Sequence, residues 1–195
     1  MEEKILSEKE SLELISKMIQ NSQRKFRGNS GSPFLIYGYT SVIVSLTIYF
    51  LHMISTSELI GLAWLGIPVI GFALSYLTKK KDEQHGKTII SNMISKVWMV
   101  IGGAIFGVSF TPFLVPIPVL PIIILLLGIG TTITGLIVKS NSVTVGGILG
   151  MISTIAVFTF QYYGYNQIAV FAICIFIMQV IPGHILQYKS NTKNV

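Results

Sequence analysis

Charge is scarce in this 195-residue sequence: only 11% of it is Asp, Glu, Lys or Arg, where a soluble domain carries about 25%. That shortage excludes an ordinary soluble enzyme. Cysteine is scarcer still. With Cys174 as the only thiol, an intramolecular disulfide is impossible and a metal centre built on thiolates lacks its ligands. Charge is also missing from the long apolar runs, because between Phe34 and Leu186 every Asp, Glu, Lys and Arg lies in a connection or at a boundary. Charged groups inside membrane spans are costly and mark proton relays, ion pathways and intramembrane catalytic sites. Their absence argues against a proton-coupled transporter and against an intramembrane aspartyl or metalloprotease. Residues Met1 to Pro33 show no apolar core followed by a small-residue cleavage site, so no signal peptide is expected.

Other catalytic patterns are lacking as well. The three histidines, His52, His85 and His184, are divided between the two expected sides of the membrane, so at most two of them meet and a zinc site is not expected. No Gly-x-Ser-x-Gly turn occurs, and no buried carboxylate is available to orient a base. Gly102-Gly103 and Gly128-Ile129-Gly130 lack the strand-turn-helix setting that cradles phosphate, and are read as packing residues. The expectation is a protein that is not an enzyme, with no cofactor and no nucleic-acid partner.

What the sequence does have is apolar length. Hydrophobic residues make up 51% of it, mean hydropathy is +0.70, and they gather in runs of the ~17–25 residues needed to cross about 30 Å of hydrocarbon. Six such runs stand out: Phe34 to Ile54, Leu59 to Leu77, Val97 to Phe113, Val119 to Val138, Val143 to Tyr163 and Ile168 to Leu186. The fold expected is an all-α membrane protein with six transmembrane helices in three hairpins, plus an N-terminal amphipathic helix. Its segments are 1–33 (helix and hinge), 34–186 (membrane domain) and 187–195 (tail). The short polar separators, such as Lys139-Ser140-Asn141-Ser142, make sequence neighbours antiparallel.

Orientation follows from the basic residues, which cytoplasmic loops retain. Six precede the first span, five lie between the second and third, one is Lys139 and two are in the tail, which accounts for all 14. The opposite loops hold none, so both termini are expected in the cytoplasm. Lys79, Lys80 and Lys81 are placed to attract anionic lipid headgroups. The net charge of +6 thereby reflects topology. Tyr37, Tyr39, Tyr76, Trp98 and Tyr188 are expected in the inner interfacial belt, with Tyr49, Trp64, Tyr162, Tyr163 and Tyr165 in the outer one.

Ser7 followed by Glu10 forms a capping-box pattern, and Glu8, Glu10 and Glu13 precede Lys17, Arg24 and Lys25, the order a helix dipole favours. A helix from about Ser7 to Phe26 is therefore predicted. Its apolar side carries Leu12, Ile15, Met18, Ile19 and Phe26, with Leu14 at the margin, which suits docking on lipid, on the bundle itself, or on a partner or second copy. Thr88 to Lys96 is read as a short interfacial lead-in to the third span.

Three elements carry a resemblance: Ser11-Leu12-Glu13-Leu14-Ile15-Ser16-Lys17-Met18-Ile19, the polar hinge Gly28 to Gly31, and Tyr37-Gly38-Tyr39 at the start of the first span. Over about its first 40 residues the chain resembles a group of uncharacterised small bacterial membrane proteins that open with a Ser-Leu-x-Leu-Ile-x-x-Met-Ile helix. The resemblance implies architecture and a bacterial cytoplasmic-membrane location, and no active site.

A weak internal repeat aligns Gly103, Gly107 and Thr111 with Gly146, Gly150 and Thr154. These small-residue rows are expected to line helix contacts, with each other or with a second subunit, because close backbone approach is what holds helices together in lipid. Gln179 is the deepest large polar residue and is read as an interhelical hydrogen-bonding group. Pro112, Pro116, Pro118 and Pro121 make the third-to-fourth connection extended, read as a rigid outer cap with a lid or ligand-contacting loop as the alternative. The leading functional expectation is a membrane scaffold or sensor subunit that presents its N-terminal helix to a partner. The alternative is a facilitator or pore for a neutral or lipid-like solute. Single cysteines at Ser57 and Asn166 should label with a membrane-impermeant reagent in intact cells, whereas one at Gln84 should not. Labelling of position 84 from outside would overturn the threading.

Overall fold

The computed structural model describes residues 8–29, 31–55, 57–79, 89–160 and 165–191, and they are helical with short connections. Helix α1 (Glu8–Asn29) precedes α2 (Gly31–Ile54), the first span. The second span opens as a 3-10 helix, Glu58–Leu65, and continues as α3 (Gly66–Lys79). The third, fourth and fifth are α4 (Ile89–Ser109), α5 (Val119–Val138) and α6 (Asn141–Phe160). The sixth is compound: α7 (Asn166–Ile175), a π-helical turn at Phe176–Val180, and α8 (Ile181–Asn191). Among the described residues, six helical runs are long and apolar enough to cross a membrane. The chain is thus an integral multi-pass protein with a separate N-terminal helix.

Prolines account for the departures from plain α-helix. Pro68 has no N–H to offer the Trp64 carbonyl four residues back, which favours the tighter winding just before it. Pro182 likewise leaves the Met178 carbonyl without its usual partner, and the π-turn ends there with the Ile181 N–H bonded to the Phe176 carbonyl. Pro121 corrects an expectation. It lies inside the first turn of α5 rather than in the connection, where a missing N–H costs no intrahelical bond. The connection itself starts with one 3-10 turn at Thr111–Phe113 that contains Pro112, and is extended by Pro118. The lead-in before the third span is no separate element either. It forms the first turns of α4, where Ile90 and Ile94 pack against Val138 while Ile89 and Met93 are exposed.

The sixth span is the hub of the bundle. Over half of its most apolar stretch (56%) is buried inside the protein, against 11% for the second span and 17% for the third. It packs on α2 along one side and on α6 and α5 along the other. The second span flanks α2 and the third flanks α5, which leaves both largely facing lipid. Three layers fill the interior. Val44, Ile48, Ile60 and Ile168 pack at the end away from α1; Ile124, Val157, Phe171, Ile175 and Met178 form the middle; Phe34, Val143 and Leu186 close the α1 end.

Both tryptophans are half-buried and pack their rings against other helices of the bundle. Trp64 meets the edge of Phe171 at 5.7 Å between ring centroids. Trp98 meets Phe34 at 6.3 Å, and its Nε1–H donates to Thr134 Oγ1 at 3.2 Å. An indole finds both an apolar neighbour and a hydroxyl acceptor there, so burial leaves no polar group unsatisfied.

The tightest seam joins α5 and α6. A Cβ on Gly128 would stand 2.8 Å from the Met151 backbone nitrogen, one on Gly147 would strike the backbone and side chain of Thr132, and one on Gly135 those of Thr144. Each glycine thus admits the partner's backbone, which supplies dispersion contact where lipid offers no hydrophobic drive to association. Gly147→Leu should therefore destabilise the bundle by at least the ~1–3 kcal/mol typical of overpacking, lowering the melting temperature in detergent by several degrees. Gly103→Leu, at a position with nothing within 4 Å, should leave the melting temperature of the single chain unchanged.

Candidate functional site

The apolar stripe of α1 is the surface that sequence analysis assigned to docking. Leu12 is 68% exposed, Ile15 53%, Met18 54% and Ile19 44%, so the chain's own bundle does not cover it. Leu14, at its margin, is exposed too. Phe26 belongs to α1, but its side chain lies outside those described. At 100° per residue Gln23 falls beside Leu12 and Ile19 on the same stripe, and it is the point where the stripe meets the bundle. It is 8% exposed, and its Nε2 donates to the Ile137 carbonyl oxygen at 2.9 Å.

That carbonyl is available because of how α5 ends. Lys139 takes a left-handed conformation (φ 54°). The Ser140 N–H then bonds to the Gly135 carbonyl at 2.9 Å and the Lys139 N–H to the Leu136 carbonyl at 3.2 Å. These are the two bonds of a Schellman motif. Ile137 O is left facing outward, and Gln23 satisfies it. Around this latch α1 also packs on α8 and on the start of α4. Over the roughly 16 Å of helix between Gln23 and Leu12, α1 runs from bundle contact to exposed surface. Sequence reasoning passed over Gln23 because a glutamine on an amphipathic helix reads as polar surface. The signal present was its angular position among Leu12, Ile19 and Phe26.

The other expected residues are distributed as follows. Lys79 ends α3, its side chain lies outside those described, and Lys80 and Lys81 are outside the described residues altogether. The two glycine rows do not face each other. Gly103 and Gly107 have nothing within 4 Å, whereas Gly146 lies against Pro182 and the Met178 carbonyl, and Gly150 against the Met178 side chain. Thr111 Oγ1 donates three residues back to the Val108 carbonyl in the last turn of α4 at 2.6 Å, and Thr154 Oγ1 is buried without a partner. Gln179 is buried in the π-turn, its Cβ close to Gly38. The seam glycines Gly128, Gly135 and Gly147 are the helix contacts that the repeat did not reveal.

Two side-chain contacts tie the first span to the sixth and to Tyr165 just before it. Tyr39 Oη and His184 Nε2 are 2.7 Å apart, and His52 stacks on Tyr165 at 4.2 Å. Among the described residues no three of His, Cys, Asp or Glu come together as a metal site. Among the described residues, apolar grooves open on the outside of the bundle. One of about 340 Å³ lies between α2 and α3, and one of about 420 Å³ lies between α6 and the sixth span.

If Gln23 is the latch, Gln23→Ala should release α1 and leave Ile137 O unpaired. The expected cost is about 1 kcal/mol, read as faster amide exchange through α1 with little change in the exchange of α5 and α6.

Comparison with known proteins found no match: no family model, no curated protein and no solved structure is similar to this chain.

Proposed function

We propose that this protein is a non-enzymatic scaffold or sensor subunit of a bacterial cytoplasmic membrane, with both termini in the cytoplasm, and that it presents the apolar stripe of α1 to a protein partner. The observation that carries this reading is the contrast along one helix face. Gln23 is fixed to the bundle, while Leu12, Ile15, Met18 and Ile19 on or beside the same stripe are left uncovered. A helix anchored at one end and apolar at the other is held in a defined place with a contact surface still to fill.

A photo-crosslinking residue in place of Met18 should give a protein adduct of discrete mass in intact cells. The double change Leu12→Asp and Ile15→Asp should abolish that adduct while membrane insertion is retained. Adducts with lipid alone would sink the partner reading and leave α1 as an interfacial helix.

A further inference from the structure

Polar side chains from three helices are enclosed in the interior of the bundle. Gln179 of the π-turn is 3% exposed, and Ser41 of α2 and Thr131 of α5 are buried. Thr131 departs from its neighbours. Thr132 and Thr134, on the same helix, each donate to the carbonyl four residues back, at 2.8 and 2.7 Å. The wholly buried Thr131 hydroxyl has no partner among the described residues. The Gln179 amide, able to donate two hydrogen bonds and accept two, is bonded by no described residue either. Other hydroxyls of this region are already used: Ser45 donates to the Ser41 carbonyl at 2.6 Å, and Thr134 receives Trp98.

Packing contacts bring the three to one level. Gly128 of α5 and Met178 of the sixth span both lie against Gly150, which fixes their register. Thr131 is three residues beyond Gly128 on the same face, and Gln179 directly follows Met178. On α2, Gly38 lies against Gln179 and Val180, and Ser41 is three residues further along that face. Helix α2 runs opposite to the sixth span. A helical side chain leans toward the start of its own helix, so Gln179 and Ser41 lean toward each other's level.

Burying amides and hydroxyls without hydrogen bonds is costly, and lipid supplies none. Three such groups match the roughly three bonds that a buried water makes to otherwise unpaired polar atoms. A hard cation would ask for about six oxygens, and no carboxylate lies within the spans to balance its charge.

We infer that Ser41, Thr131 and Gln179 together bind a buried water molecule that ties α2, α5 and the π-turn of the sixth span. The inference is independent of the partner proposed for α1. It is tested by a crystal structure of the full chain grown in a lipid mesophase, at a resolution that shows ordered water, and by melting temperatures in detergent. An isolated density peak should lie within hydrogen-bonding distance, about 2.5–3.2 Å, of the Gln179 amide and of both hydroxyls. Thr131→Val keeps the shape of the side chain and deprives the water of a partner, so it should lower the melting temperature. Ser41→Ala combined with it should lower the temperature by less than the sum of the two separate shifts, because both changes break one shared network. A dry site gives the opposite sign, since valine would then replace an unsatisfied hydroxyl and raise the melting temperature. That rise, an unchanged temperature, additive shifts, or direct bonding among the three side chains with no peak between them would each overturn the inference.

Discussion

Close approach of backbones between α5 and α6 is the contact on which the rest of the bundle depends. In hydrocarbon, apolar side chains gain nothing from leaving their surroundings, so two helices adhere only if they come nearer to each other than lipid chains can. Gly128 and Gly135 on one helix and Gly147 on the other allow this, each receiving a partner's backbone. The pair then offers a fixed surface on which Met178 and Ile175 of the sixth span are buried, with Gly150 leaving room for the methionine side chain. The sixth span in turn holds α2, where Gly38 admits Val180 and Gln179. Small residues at successive contacts thus build the bundle outward from one seam, and the spans beyond its reach, the second and third, stay mostly against lipid.

The π-turn at Phe176–Val180 belongs to the same logic. Pro182 removes a donor from a helix whose carbonyls cannot turn to water, and one wider turn re-registers the chain so that the Ile181 N–H still bonds. The proline ring then lies against Gly146. A local backbone problem and a local absence of side chain are matched across two helices, and the shallow groove beside them is the result.

At the α1 end, polar satisfaction rather than proximity makes the connection. A left-handed Lys139 closes α5 and leaves Ile137 O exposed, and Gln23 supplies the missing hydrogen bond from a helix that is otherwise apolar on that face. One such bond is modest in energy, about 1 kcal/mol, yet it fixes where the stripe of Leu12 and Ile15 emerges. Location and exposure together make α1 suited to contact something beyond its own chain.

The number of spans, their approximate limits and the amphipathic character of α1 were legible in the sequence, because hydrocarbon thickness and helical periodicity act on each segment alone. The glycine rows were visible as well, but not their partners. Gly146 meets the sixth span and Gly103 meets nothing within the chain, a difference that depends on which helices are neighbours. The packing of Trp64 and Trp98 against other helices, the placing of Pro121 inside α5 and the latch at Gln23 share that dependence, since each is decided by an acceptor, a wall or a helix end supplied from elsewhere in the chain. By itself the sequence determined what must lie within the membrane, through the cost of putting anything else there. Only the tertiary structure decided which faces touch, because in lipid nearly every face is apolar and close fit alone distinguishes them.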